Sequence, residues 1–180
     1  MLDKLNILEI RKDAISSIQK GSSKLSFILV YYGIPLVCAV AIHLVNYDVN
    51  TDLFGNLISG ISLFAALLFS IIFVVSNNLN SRKNQYKSND EENIRYLSNY
   101  KNFANSLVSL ISYTIVKAIM IVVILIISDA YFDYLNEKSN LLLKIIWDIL
   151  IVLLVQFLLY IIIILREMYV MQYEDINKNN

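Results

Sequence analysis

Four apolar runs, each long enough to cross a lipid bilayer and separated by short polar stretches, constrain this chain more than any other feature. They cover residues 25–45, 53–75, 107–127 and 141–165. A helix needs about 20 residues to cross a hydrocarbon core roughly 30 Å thick, and each run meets that length. Lipid supplies no hydrogen bonds to the backbone, so an isolated run inside it must be helical. The fold class that follows is all-α: an integral membrane four-helix bundle forming a single domain, residues 1–180. Composition agrees, with 57% hydrophobic residues and a mean hydropathy of +0.59. A soluble domain is nearer half apolar. The first run starts at Leu25 and is too long for the core of a signal peptide, so it is expected to stay as a first span.

Basic residues in the loops set the orientation. The N-terminal segment carries Lys4, Arg11, Lys12, Lys20 and Lys24, and the loop between spans two and three carries Arg82, Lys83, Lys87, Arg95 and Lys101. The first loop has Asp48 and Asp52, and the third has Asp129, Asp133 and Glu137 against Lys138. Both termini and the middle loop are therefore expected in the cytoplasm. The abundance of Ile, Asn, Lys and Tyr reads as an AT-rich bacterial or phage genome, and with it a bacterial inner membrane. Net charge is zero, so no overall field draws nucleic acid. The basic residues of the middle loop alternate with Asp90, Glu91 and Glu92, which suits a solvated helix that contacts a protein partner.

Residues 1–20 have Ile7, Ile10, Ala14 and Ile18 at helical spacing, with charges opposite. This predicts an amphipathic helix lying flat at the cytoplasmic interface, or else docked on the middle loop. In that loop, residues 76–106, Ser88-Asn89-Asp90-Glu91 has the form of a capping box. Span two is expected to continue to about Asn80. A second helix would start near Asp90 and run unbroken into span three, giving a cytoplasmic helical hairpin. The polar tail, 167–180, is expected to fray at its end.

Several polar features interrupt the apolar pattern. Span two has a stripe of small residues, Gly55, Ser59, Ser62, Ala66 and Ser70, which allows close helix approach either within the chain or between copies. Lys117 lies midway along span three. A charge there costs on the order of 3 kcal/mol, and a lysine stem of about 6 Å cannot reach an interface roughly 15 Å away. Asp148 on span four is the first candidate partner, although helical side chains lean toward their N-termini and would pull the two apart. Gln156, deeper in span four, is the second. His43, near the outer end of span one, has no obvious partner. Gly33 and Pro35 form a candidate hinge, since a proline frees the carbonyl one turn earlier, near Tyr31. Aromatic belts are expected at Tyr47, Phe54, Tyr131, Phe132 and Tyr134 outside and at Tyr169 and Tyr173 inside. Trp147 would cover the Asp148 site.

No nucleophile elbow, zincin, phosphate-loop or dinucleotide motif occurs, and Cys38 has no second cysteine. No enzyme activity, cofactor or metal site is therefore expected. The order of a short amphipathic head, two spans, a charged helical hairpin and two more spans, with the Ser88–Glu91 cap before the aromatic-rich helix, resembles the small four-span membrane proteins of bacterial antiviral operons. These include the Kiwa-type membrane subunit and four-helix transmembrane effectors. The resemblance implies an oligomeric sensor or pore-forming effector in phage defence, with a cytoplasmic protein partner. A small channel or transporter subunit, or a membrane anchor for a cytoplasmic enzyme, are the alternatives.

Overall fold

The apolar runs are helices, and polar residues at their ends prolong three of them far past bilayer thickness. The structure, a computed structural model, describes residues 7–19, 23–45, 51–85, 91–132 and 140–178. Helix α1 is Ile7–Gln19. The first span is built from α2 (Lys24–Ile28), a π-helical turn (Leu29–Gly33) and α3 (Ile34–Leu44). Then follow α4 (Thr51–Gln85), α5 (Glu91–Ala130) and α6 (Asn140–Lys178). Among the described residues four helical segments are long and apolar enough to cross a membrane: Lys24–Leu44, Leu53–Gln85, Asn93–Ala130 and Leu142–Tyr173. No strand occurs among the described residues.

Helices α4, α5 and α6 have 35, 40 and 39 residues, so at 1.5 Å per residue each is roughly 50–60 Å long. About half of that exceeds the hydrocarbon core. Span two continues to Gln85, further than the sequence suggests, and α5 runs unbroken from Glu91. Together they project as a stalk. The capping residues Ser88–Asp90, and Lys87, lie outside the described residues. The tail continues α6 as helix to Lys178, and its last two residues, where fraying is expected, lie outside the described residues.

The helices alternate in direction. The last turns of α4 and α6 and the first turn of α5 share one end of the bundle, called the near end below. The last residues of α3 and α5 and the first residues of α4 and α6 lie at the far end. Ring contacts set the register: Phe54 on α4 meets Trp147 on α6 and Phe132 after α5, while Tyr31 meets Tyr160 across span one and α6. Phe54 is thus a core residue, not part of an aromatic belt. On α5 the buried positions Tyr100, Ala104, Leu107, Ile111, Thr114, Ala118, Ile121, Leu125 and Ser128 alternate spacings of four and three. On α4 Phe54, Ile61, Leu68, Val75 and Arg82 recur every seven residues, as do Leu150, Phe157, Ile164 and Met171 on α6. A 3.5-residue repeat keeps one seam against its neighbour as the helices supercoil left-handedly. In lipid such a seam is held by dispersion and close packing, because lipid is as apolar as the core.

Helix α1 does not lie flat apart from the bundle. It packs along α5, with Ala14 fully buried, and a small cavity between them is lined by Ser17, Ile18, Phe103 and Leu107. Ser23 then caps α2: its Oγ accepts from the Ser26 amide at 3.2 Å, which turns the chain back into the first span.

Candidate functional site: an intramembrane polar relay

The site begins with a missing hydrogen bond. Pro35 has no amide hydrogen, so the carbonyl of Tyr31, four residues earlier, loses its helical donor. The chain widens there into the π-turn Leu29–Gly33, a usual way to absorb such a break. Gln156 of α6 fills the vacancy, its Nε2 donating to the Tyr31 carbonyl at 3.1 Å. Gly33 keeps ordinary helical dihedrals, φ −67° and ψ −53°. A Cβ there would meet Leu29 at 3.8 Å, an ordinary contact. The irregularity therefore belongs to Pro35.

The other end of the same amide holds the mid-membrane lysine. Lys117 Nζ donates to Gln156 Oε1, and it sits 4.8 Å from the centroid of Tyr160 and 5.9 Å from that of Tyr113. Aromatic faces carry negative potential, so two rings at this range favour a cation. Tyr160 also packs against Tyr113 and Tyr31, with centroids 5.5 and 5.6 Å apart. Lys117 and Gln156 are 8% and 9% exposed. Three spans are therefore joined by one chain of polar atoms: Lys117 amine, Gln156 amide, Tyr31 carbonyl.

Gln156, not Asp148, is the partner of Lys117, and side-chain direction explains it. Lys117 leans toward the N-terminus of α5, which is the near end. Gln156 lies eight residues nearer that end than Asp148 does. Asp148 instead pairs with His43, Nδ1 to Oδ2 at 3.0 Å. His43 is 52% exposed and Asp148 33%. The sequence offers no local signal for this contact, which depends on span one packing beside span four. Trp147 faces away from Asp148 toward Phe54, and its Nε1 has no hydrogen-bond partner among the described residues. Between the His43–Asp148 pair and Gln156 runs a groove of about 630 Å³ between span one and α6.

The remaining expected site residues separate into two groups. Gly55, Ser59, Ser62, Ala66 and Ser70 are all exposed, so this stripe does not pack within the chain. Ser70 bonds the Ala66 carbonyl at 3.2 Å, and a Cβ on Gly55 would meet nothing within 4 Å. On the stalk, Lys83, Arg95 and Lys101 are exposed, but Arg82 is buried at 6%. It donates to Tyr96 at 3.3 Å and lies over Tyr100. Arg82 belongs to the α4–α5 seam and not to a partner surface, because it occupies the same seven-residue register as Val75.

Chemically, the relay ties three helices in one register through two hydrogen bonds. Among the described residues no three His, Cys, Asp or Glu side chains converge as a metal site. Comparison with protein-family models, with curated proteins and with solved structures gives no match.

Proposed function

We propose that this chain is a non-enzymatic, multi-pass protein of the bacterial inner membrane, with cytoplasmic termini, that acts as an oligomeric sensor or switch. The observation that carries the proposal is the buried relay from Lys117 through Gln156 to the carbonyl freed by Pro35. Buried polar groups inside a membrane bundle are costly and characteristically functional. This one ties a kinked span to two helices that continue as rigid rods into the cytoplasm. A displacement at the kink would then reach the stalk, where Lys83, Arg95 and Lys101 offer a basic surface to a protein partner. The exposed small stripe on α4 suits a seam between copies. Placement in phage defence rests on the layout resemblance.

The test is expression in cells under phage challenge while membrane potential and survival are followed. Wild type is expected to change potential or protect, and Lys117→Leu to abolish that response at equal membrane abundance. Equal responses in the two would remove the relay from the mechanism. They would leave the anchor reading, which the long stalk favours and which a pull-down with residues 80–100 deleted addresses.

A further inference from the structure

The groove between the first span and α6 has the shape and polarity of a seat for a lipid. Its walls are Leu36 and Val40 on span one and Val152 and Leu153 on α6. Its base is Ala39, 6% exposed, where a larger side chain would fill the space. From Asp148 to Gln156 is eight residues, or about 12 Å along the helix, close to the roughly 15 Å depth of one leaflet's hydrocarbon. The surrounding surface, including Leu36, Val37, Leu44 and Ile149, is exposed and apolar, so the groove opens sideways onto the bilayer. Water is a poor occupant for such walls, and an acyl chain lying parallel to the helices is a good one.

The far mouth of the groove is polar. In the His43–Asp148 pair Nδ1–H donates to Oδ2, which leaves Asp148 Oδ1 and His43 Nε2 as two acceptors for an ammonium. A phosphoethanolamine headgroup carries such an ammonium, whereas phosphatidylglycerol has none. We infer that the groove seats one phosphatidylethanolamine of the far-end leaflet, its headgroup on His43–Asp148 and one acyl chain against Leu36, Val40, Val152 and Leu153. The deep end of the seat is Gln156, which holds the Tyr31 carbonyl. Occupancy is therefore felt at the relay. This coupling deepens, and rests on, the sensor reading above, with bilayer lipid as the sensed species.

The test uses the full chain reconstituted in vesicles of phosphatidylethanolamine and phosphatidylglycerol. Trp147 is the single tryptophan, so Trp147→Phe provides a silent background. Val40→Trp then reports on the groove and Leu67→Trp on an ordinary lipid-facing surface of α4. Bromine-labelled acyl chains are placed on one lipid species at a time. Labelled phosphatidylethanolamine is expected to quench Val40→Trp about fivefold more effectively than labelled phosphatidylglycerol, the scale of one exposed ion pair. Leu67→Trp should respond equally to both. Asp148→Asn, nearly isosteric, is expected to erase the preference, and Ala39→Phe to reduce quenching by either lipid. Equal quenching at Val40 by the two lipids would overturn the seat and leave ordinary annular lipid. If that result came together with a Lys117-dependent response to phage, the seat would fail and the sensor reading would stand.

Discussion

At the scale of single residues, the relay places unequal demands on its members. Removing Gln156 strands two groups at once, the Lys117 amine and the Tyr31 carbonyl. Removing Lys117 strands one acceptor and also takes away the cost of holding an amine in the bilayer. Gln156→Leu is therefore expected to destabilise the protein by about 3 kcal/mol, the scale of a buried donor and acceptor left unmade. Lys117→Leu should stay within about 1 kcal/mol of wild type, since relief of the roughly 3 kcal/mol cost of a mid-membrane amine offsets one neutral acceptor left unmade. Thermal unfolding in detergent, followed by Trp147 fluorescence, ranks the two. The double variant should be more stable than Gln156→Leu. If Lys117→Leu proved the more damaging of the two, the lysine rather than the amide would be the organising group. Pro35→Ala restores the amide hydrogen that Tyr31 lacks. It is expected to regularise the π-turn and slow hydrogen exchange of amides 32–36, while Gln156 loses its acceptor.

At the scale of elements, the faces of α4 have different fates. The seam residues Phe54, Ile61, Leu68 and Val75 are 1–4% exposed, whereas the small stripe faces outward. Leu68→Ala is expected to cost about 2–4 kcal/mol through the cavity it leaves against α5, measured by the same unfolding assay. Ser62→Leu should leave the unfolding transition unchanged and alter cross-linking between copies. That cross-linking is read with Ser59→Cys in a Cys38→Ser background. A loss of fold in Ser62→Leu would instead place the stripe inside the chain's own packing. On the stalk, Arg82→Leu removes the donor to Tyr96 and the cation over Tyr100. It is expected to speed proteolysis between Gln85 and Glu91 severalfold, consistent with about 1–2 kcal/mol of lost seam stability.

At the scale of the whole molecule, α5 is the axis on which the rest is assembled, with α4, α6 and α1 packed around it. Deleting residues 1–19 uncovers the face that buries Ala14 and is expected to lower the unfolding temperature by several degrees. A helix lying free at the interface would give no change. Orientation is a global property too: reporters fused at Asp48 and Asn89 are expected to fall on opposite sides of the membrane, with Asn89 cytoplasmic.

The four spans, their order and the continuous helix through span three were legible because they follow from local quantities. Apolar length sets what lipid will accept, and a 3.6-residue period sets a helix face. Even the seven-residue seam of α4 is written in Phe54, Ile61, Leu68, Val75 and Arg82, and the burial of Arg82 could have been read from that register. Pro35 announced a free carbonyl at Tyr31 for the same reason, since the lost bond lies within one turn. The donor to that carbonyl was not legible. Neither were the choice of Gln156 over Asp148 for Lys117, the pairing of His43 with Asp148, or which of its two open placements, flat at the interface or docked on the middle loop, α1 would take. Each depends on which helices are neighbours and how far one slides along another. Those are set by the summed packing of whole seams, in which no single residue names its partner.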